Sequence, residues 1–223
     1  MYYNVRVKSF PDGMKQYMYS DRGKQKGYEV EKKEKTGQSV ERKERENMSR
    51  AVQKVYDLAR SNEFDWFITM TFDSQKVDRY DYDSCSDALK RFTDIIRHNG
   101  NKWLIVPEQH KDGAFHFHGL VSGDLDVTYH KDGVYNLNNY KYGFTTATRI
   151  KDPKRVSTYI AKYLTKEITV PKGRKRYWAS RGLQKPTEEF IVMSSEEYGE
   201  IYNLARFQKV SETPYGTYVM CET

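Results

Sequence analysis

Two runs of strand-forming residues, Lys102 to His110 and Ala114 to Ser122, stand either side of Lys111-Asp112-Gly113. That tripeptide constrains the chain more than any other feature. Gly113 suits the left-handed position that closes a three-residue hairpin loop. With such a loop His110 pairs with Ala114, and counting back along both strands sets Glu108 directly opposite His116. A two-residue loop would bring Glu108 opposite Phe117 instead, on the wrong side. Side chains alternate along a strand with period two, so His116 and His118 face one way while Phe115 and Phe117 face the other. The three-residue register thus gathers a carboxylate and two imidazoles on one face, the Cβ atoms of Glu108 and His116 about 5 Å apart and His118 a diagonal neighbour. Histidines at this spacing also occur as plain structural residues. As ligands, these three would leave coordination positions open, and phosphate oxygens suit Mg²⁺ or Mn²⁺ there. His110 shares the face, open to a role as a fourth ligand, a supporting neighbour or neither.

The rest of the chain reads as strands and helices in an order that fits an antiparallel α+β sheet. Tyr2 to Lys8 and Gln16 to Ser20 flank the turn Pro11-Asp12-Gly13 and predict an N-terminal hairpin. Val40 to Arg60 is helical, with Met48, Val52, Val55, Tyr56 and Ala59 at three- and four-residue spacings. Asp65 to Phe72 (DWFITMTF) predicts a buried strand. Asp83 to His98 carries Ala88, Leu89, Phe92, Ile95 and Ile96 on one helical stripe that Asn99-Gly100 ends. Val127 to Tyr129 and Val134 to Asn136 form a smaller hairpin or an inserted loop, Phe144 to Ile150 is a Thr-rich strand, and Pro153 opens a helix through about Lys166. A basic linker then leads to Tyr177 to Leu183, and a final helix is expected near Glu196 to Phe207. The expected organisation is an extension over 1–60, a central domain over 61–190 and a helical tail over 191–223 packed on that domain.

Charge is concentrated. The 223 residues sum to +7, yet Arg149 to Lys185 holds twelve Lys or Arg against Asp152 and Glu167, interleaved with Tyr159, Tyr163, Tyr177 and Trp178. Phosphate-binding surfaces have this composition, as do some solvated faces. No run approaches 18 apolar residues and the N-terminus lacks a secretory pattern, so neither a membrane span nor export is expected. Cys85 and Cys221 are far apart and form no Cys-x-x-Cys pair, which suits a reducing cytoplasm. Within the basic segment, Tyr159 and Tyr163 lie four residues apart on one helical face, and each is followed three residues later by a lysine, Lys162 and Lys166. Tyr198 and Tyr202 share that spacing but sit among Glu196, Glu197 and Glu200, which would repel phosphate. An ammonium beside a phenol favours the phenolate and stabilises charge on a phosphoryl group in transfer.

Taken together, Phe67-Ile68-Thr69-Met70-Thr71-Phe72, Glu108 with His116-Phe117-His118-Gly119, and Tyr159 to Lys166 resemble, in order, the three motifs of the HUH endonucleases. Among these the match is to the two-tyrosine rolling-circle replication initiators of small single-stranded DNA phages and related plasmids. The resemblance spans roughly Phe64 to Leu183. It implies an α+β fold of the RRM or ferredoxin-like kind, with a central five-stranded antiparallel sheet flanked by helices. It also implies that Mg²⁺ or Mn²⁺ on Glu108, His116 and His118 polarises a phosphate of single-stranded DNA, which a tyrosine attacks to leave a 5′-phosphotyrosine and a free 3′-OH. Tyr159 and Tyr163 would be the nucleophiles, Lys162 would position or neutralise the phosphate, and Lys166 would do so for Tyr163. The chain contains no Gly-x-x-x-x-Gly-Lys-Ser/Thr loop, so a host helicase and polymerase in a bacterial cytoplasm are implied partners. A relaxase or transposase with the same chemistry, and a non-enzymatic module that binds single-stranded nucleic acid, are the alternatives.

Overall fold

The computed structural model describes residues 1–26, 37–164, 170–171, 173–204, 209–213 and 216–222. In chain order the elements are β1 (Tyr2–Ser9), β2 (Met14–Gln25), α1 (Gly37–Arg60), β3 (Trp66–Phe72), α2 (Tyr82–His98), β4 (Trp103–Gln109) and β5 (Phe115–Val121). They continue through β6 (Val127–Lys131), β7 (Val134–Leu137), β8 (Gly143–Arg149), α3 (Pro153–Tyr163) and β9 (Trp178–Ala179). The last four are β10 (Thr187–Ile191), α4 (Ser195–Leu204), β11 (Lys209–Thr213) and β12 (Gly216–Glu222). It is therefore an α+β protein with antiparallel sheets, and among the described residues no helix is long and apolar enough to cross a membrane.

Two compact units emerge, Gly37–Gln184 and a second made of Met1–Thr36 with Lys185–Thr223. The boundaries drawn from sequence, after residues 60 and 190, differ from this division because α1 groups with the central sheet and the two chain ends pair with each other. In the second unit a five-stranded sheet runs in the order β10-β1-β2-β12-β11, over a small core of Val5, Val7, Tyr17, Tyr198 and Val219. The expected helix near Glu196 to Phe207 is α4, whose described residues end at Leu204; Phe207 lies outside the described residues. The tail beyond it, expected to be helical, contributes the strands β11 and β12.

The larger unit is built on a seven-stranded sheet in the order β6-β7-β8-β3-β5-β4-β9. This corrects the expected five strands: the β6–β7 hairpin extends one edge, and the two-residue strand β9 pairs Leu104 and Ile105 at the other. Period-two patterning divides its faces. Trp66, Ile68, Met70 and Phe72 of β3 join Phe115 and Phe117 of β5 under α2, with Ala88, Leu89, Phe92 and Ile96 as the helix stripe. On the opposite face Leu104, Val106 and Leu120 pack with Val55 and Leu58 of α1 and with Ile160, Ala161 and Leu164 at α3. Both interior helices start where capping chemistry says they should. Asp81 accepts from the Ser84 backbone N–H at 2.8 Å, and Asp152, followed by Pro153, accepts from that of Arg155 at 3.0 Å. Cys85 is a buried free thiol under α2.

Gly119, next to His118, sits where two strands press against its own. A Cβ built there lies 2.9 Å from Ile105 Cγ1 and 3.0 Å from Ile68 Cγ1, both core side chains. Gly119→Ala is expected to lose about 1–3 kcal/mol by overpacking. In a thermal melt that reads as a midpoint lowered by roughly 2–4 °C per kcal/mol.

Candidate functional site

The hairpin register came out as the loop length required. His110 N–H donates to Ala114 O at 2.9 Å and Gly113 N–H to His110 O at 2.9 Å, Gly113 has φ +90°, and Glu108 pairs with His116. On its other side β5 pairs with β3, so that Thr69 stands opposite His118 and Thr71 opposite His116. Two rows of side chains thus cross the sheet on one face, Glu108-His116-Thr71 and Val106-His118-Thr69. The face begins apolar under α1 and α3 and turns polar one residue pair further along the strands.

Within these rows the contacts are specific. Glu108 is buried, and its carboxylate lies 2.6 Å from His118 Nε2 and 3.9 Å from His110 Nε2. His118 Nδ1 is 3.1 Å from Thr69 Oγ1, and His116 Nδ1 is 3.0 Å from Thr71 Oγ1. A threonine hydroxyl donates or accepts, so it satisfies Nδ1 in either tautomer and fixes the ring plane with Nε2 directed away. His110 packs face to face on His116, ring centroids 3.6 Å apart. Burial, with the His110 and His118 rings adding to it, pushes the His116 pKa down to about 4, which keeps that imidazole neutral at physiological pH.

Helix α3 brings the phenols to the same cluster. The Tyr163 ring stacks on His118 at 3.7 Å between centroids, and its hydroxyl donates to the Tyr159 hydroxyl at 2.6 Å. Phe67, from the next row, supports both rings at 5.3 Å for Tyr159 and 6.2 Å for Tyr163. Tyr163 is 8% exposed and Tyr159 48%, so one hydroxyl is wet and the other sheltered. Burial, followed by the hydrogen bond to Tyr159, raises the Tyr163 phenol above its ordinary value.

The expected residues Glu108, His116, His118, Tyr159 and Tyr163 therefore converge. Lys162 lies on the exposed side of α3, and Lys166 lies outside the described residues. The basic segment is divided: Lys154, Arg155 and Lys162 are on α3, whereas Arg174 forms an ion pair with Asp83 of α2. The threonines were overlooked in the sequence, although Thr-x-Thr in β3 has the same period as His-x-His in β5. Among the described residues no group of three or more His, Cys, Asp or Glu side chains is arranged to hold a metal ion; Glu108 is spent on His118 instead. The donor types nevertheless suit a divalent cation, since a buried carboxylate and two imidazoles anchored through Nδ1 are what such an ion takes from a protein that also offers it phosphate. Binding would exchange the Glu108–His118 hydrogen bond for ligation.

An antiparallel sheet that presents an acid, two anchored imidazoles and two phenols on one face defines the class of α+β protein in hand. Residues 65–168 match the family described as Replication-associated protein ORF2/gene-2 protein, of the rolling-circle initiator type. The matched segment is a little under half of the chain, contains all five converging side chains, and supports a Rep-like assignment with a role in DNA replication. No curated protein and no solved structure matches the chain.

Proposed function

We propose that this chain is a metal-dependent, site-specific nickase and ligase of single-stranded DNA that initiates rolling-circle replication through a 5′-phosphotyrosine. The observation that carries the reading is the stacking of Tyr163 on His118, with the Tyr159 hydroxyl hydrogen-bonded beside it and Glu108 bonded behind it. The family match over residues 65–168 supports the same conclusion.

Glu108, His116 and His118 would hold Mg²⁺ or Mn²⁺. Bound there, the ion supplies Lewis-acid polarisation of a phosphoryl oxygen. The chain's own residues do the rest. Tyr159, half exposed, is the phenol that a strand reaches without rearrangement, and its oxygen attacks phosphorus. The new bond is between the tyrosine oxygen and phosphorus, the bond from phosphorus to the 3′ oxygen breaks, and the phenolic proton ends on that oxygen. Tyr163, sheltered and still protonated, donates its hydrogen bond to the attacking oxygen and is positioned for a second cleavage. Ester exchange conserves the bond, so a returning 3′-OH reverses the step and rejoins the strand without ATP. Lys162 on α3, and Lys166 after it, would attract the phosphate, and the motors for unwinding and synthesis would come from a host helicase and polymerase.

Incubation with the origin strand of its own replicon and Mn²⁺, followed by a denaturing gel, tests this. A protein band shifted by covalently attached DNA is expected, and no shift with any origin-derived single strand would refute the reading. Thr69 and Thr71 give a further prediction. Thr69→Val keeps the shape of the side chain but removes the hydroxyl from His118, and is expected to weaken Mn²⁺ binding about 10–100-fold in calorimetry. Thr69→Ser should restore it.

A further inference from the structure

Strand β8 carries an aromatic side chain where a water-facing sheet gains little from one. Phe144 is 73% exposed. It stands directly opposite Thr71, which stands opposite His116, which stands opposite Glu108. The four side chains form one row across β4, β5, β3 and β8, and therefore project from the same face of the sheet. Its chain neighbour Thr145 is buried on the other face, and the next residue on its own side, Thr146, is exposed and opposite Thr69 in the His118 row. Helices α1 and α3 cover the apolar β4 and β5 end of this face, whereas Phe144 belongs to no buried cluster. Among the described residues it makes no ring–ring or cation–ring contact. A flat, uncharged ring thus lies two strand spacings, about 10 Å, from His116, with threonine hydroxyls beside and between.

We propose that Phe144 is a stacking platform for one base of the single strand, next to the phosphate that is attacked. The inference rests on the function proposed above and names a binding subsite for its substrate. Continuity decides the occupant. A strand whose phosphate lies over Glu108, His116 and His118 has to continue across the sheet, and β8 is the uncovered direction. Only an unstacked base offers its face to a protein ring, which excludes duplex. Stacking on one ring also tolerates any base, so the subsite contributes affinity and register, not sequence choice. Thr71 and Thr146 are placed to meet the base edge or the sugar.

The test is fluorescence anisotropy with labelled single-stranded oligonucleotides, oligothymidine and the origin strand, on the full chain. Phe144→Ala is expected to weaken binding about tenfold, Phe144→Trp to keep it, and neither to shift the melting temperature, since the ring is not part of a core. In a series of strands with one abasic nucleotide at successive positions, wild type should lose affinity sharply at one position and Phe144→Ala should lose nothing further there. If wild type binds and Phe144→Ala binds equally well, the platform is overturned while the proposed function stands. If wild type itself ignores single strands, the function falls and the platform with it. A change from dimer to monomer on sedimentation of Phe144→Ala, with binding intact, would assign the ring to self-association and likewise overturn the platform.

Discussion

Replacing Tyr159 and Tyr163 together by Phe is expected to abolish covalent attachment to DNA, a loss of at least about a thousandfold, while leaving the fold and strand binding in place. The reason is in the packing. Each ring keeps its position against Phe67, and the Tyr163 ring keeps its place on His118, so what disappears is two hydroxyls that bond to one another. A nucleophile acts as part of a unit, and its removal costs most of the catalytic effect. The single variants should differ. Tyr159→Phe removes the exposed hydroxyl and the acceptor of the Tyr163 hydrogen bond, and should suppress the first cleavage. Tyr163→Phe should spare a first cleavage and suppress a second on a product that already occupies Tyr159. Adduct yield in single- and two-cleavage substrates measures both.

The second large effect is expected at Glu108. Glu108→Gln preserves shape and a carbonyl for His118 but removes the charge that a divalent ion needs, so Mn²⁺ binding and metal-dependent attachment should both fall by at least about 100-fold. Its fold should survive, because an amide meets a neutral imidazole as comfortably as a carboxylate does. His118→Ala makes the contrast. It removes the partner 2.6 Å from a buried carboxylate, and leaving a buried charge uncompensated costs about 3–5 kcal/mol. Calorimetry for the ion and thermal melts for the fold separate the two: loss of binding at full stability for Glu108→Gln, loss of both for His118→Ala.

Which parts of this site could be read from sequence depended on the length of chain closing each contact. Glu108 met His116 as expected because one glycine-closed loop sets the register of β4 against β5, and period two does the rest. The phenols were assigned to one helical face by spacing alone, and along α3 that spacing brings their hydroxyls into contact. Thr69 and Thr71 escaped notice because the pairing of β3 with β5 is closed by α2 and β4, over which no local rule fixes register. Phe144 escaped for the same reason, since its row exists only once β8 is aligned on β3. The wider sheet was missed because β9 is two residues long, too short for any periodic signal. At the chain ends β12 pairs with β2 across nearly the whole sequence, and the polar residues of β11 and β12 carry little alternation to mark them as strands. Local chemistry was legible; pairings across long separations were not.

Tryptic mapping of the covalent adduct tests the central claim most directly. Cleavage after Arg155, Lys162 and Lys166 puts Tyr159 in the peptide Val156 to Lys162 and Tyr163 in the peptide Tyr163 to Lys166, so mass spectrometry distinguishes them. After reaction with a single-stranded origin oligonucleotide and Mn²⁺, the account predicts a nucleotide-5′-phosphate mass on the Tyr159 peptide, with the Tyr163 peptide modified in two-cleavage substrates. Nucleotide mass on any other peptide, or cleaved DNA with both peptides unmodified, would contradict it.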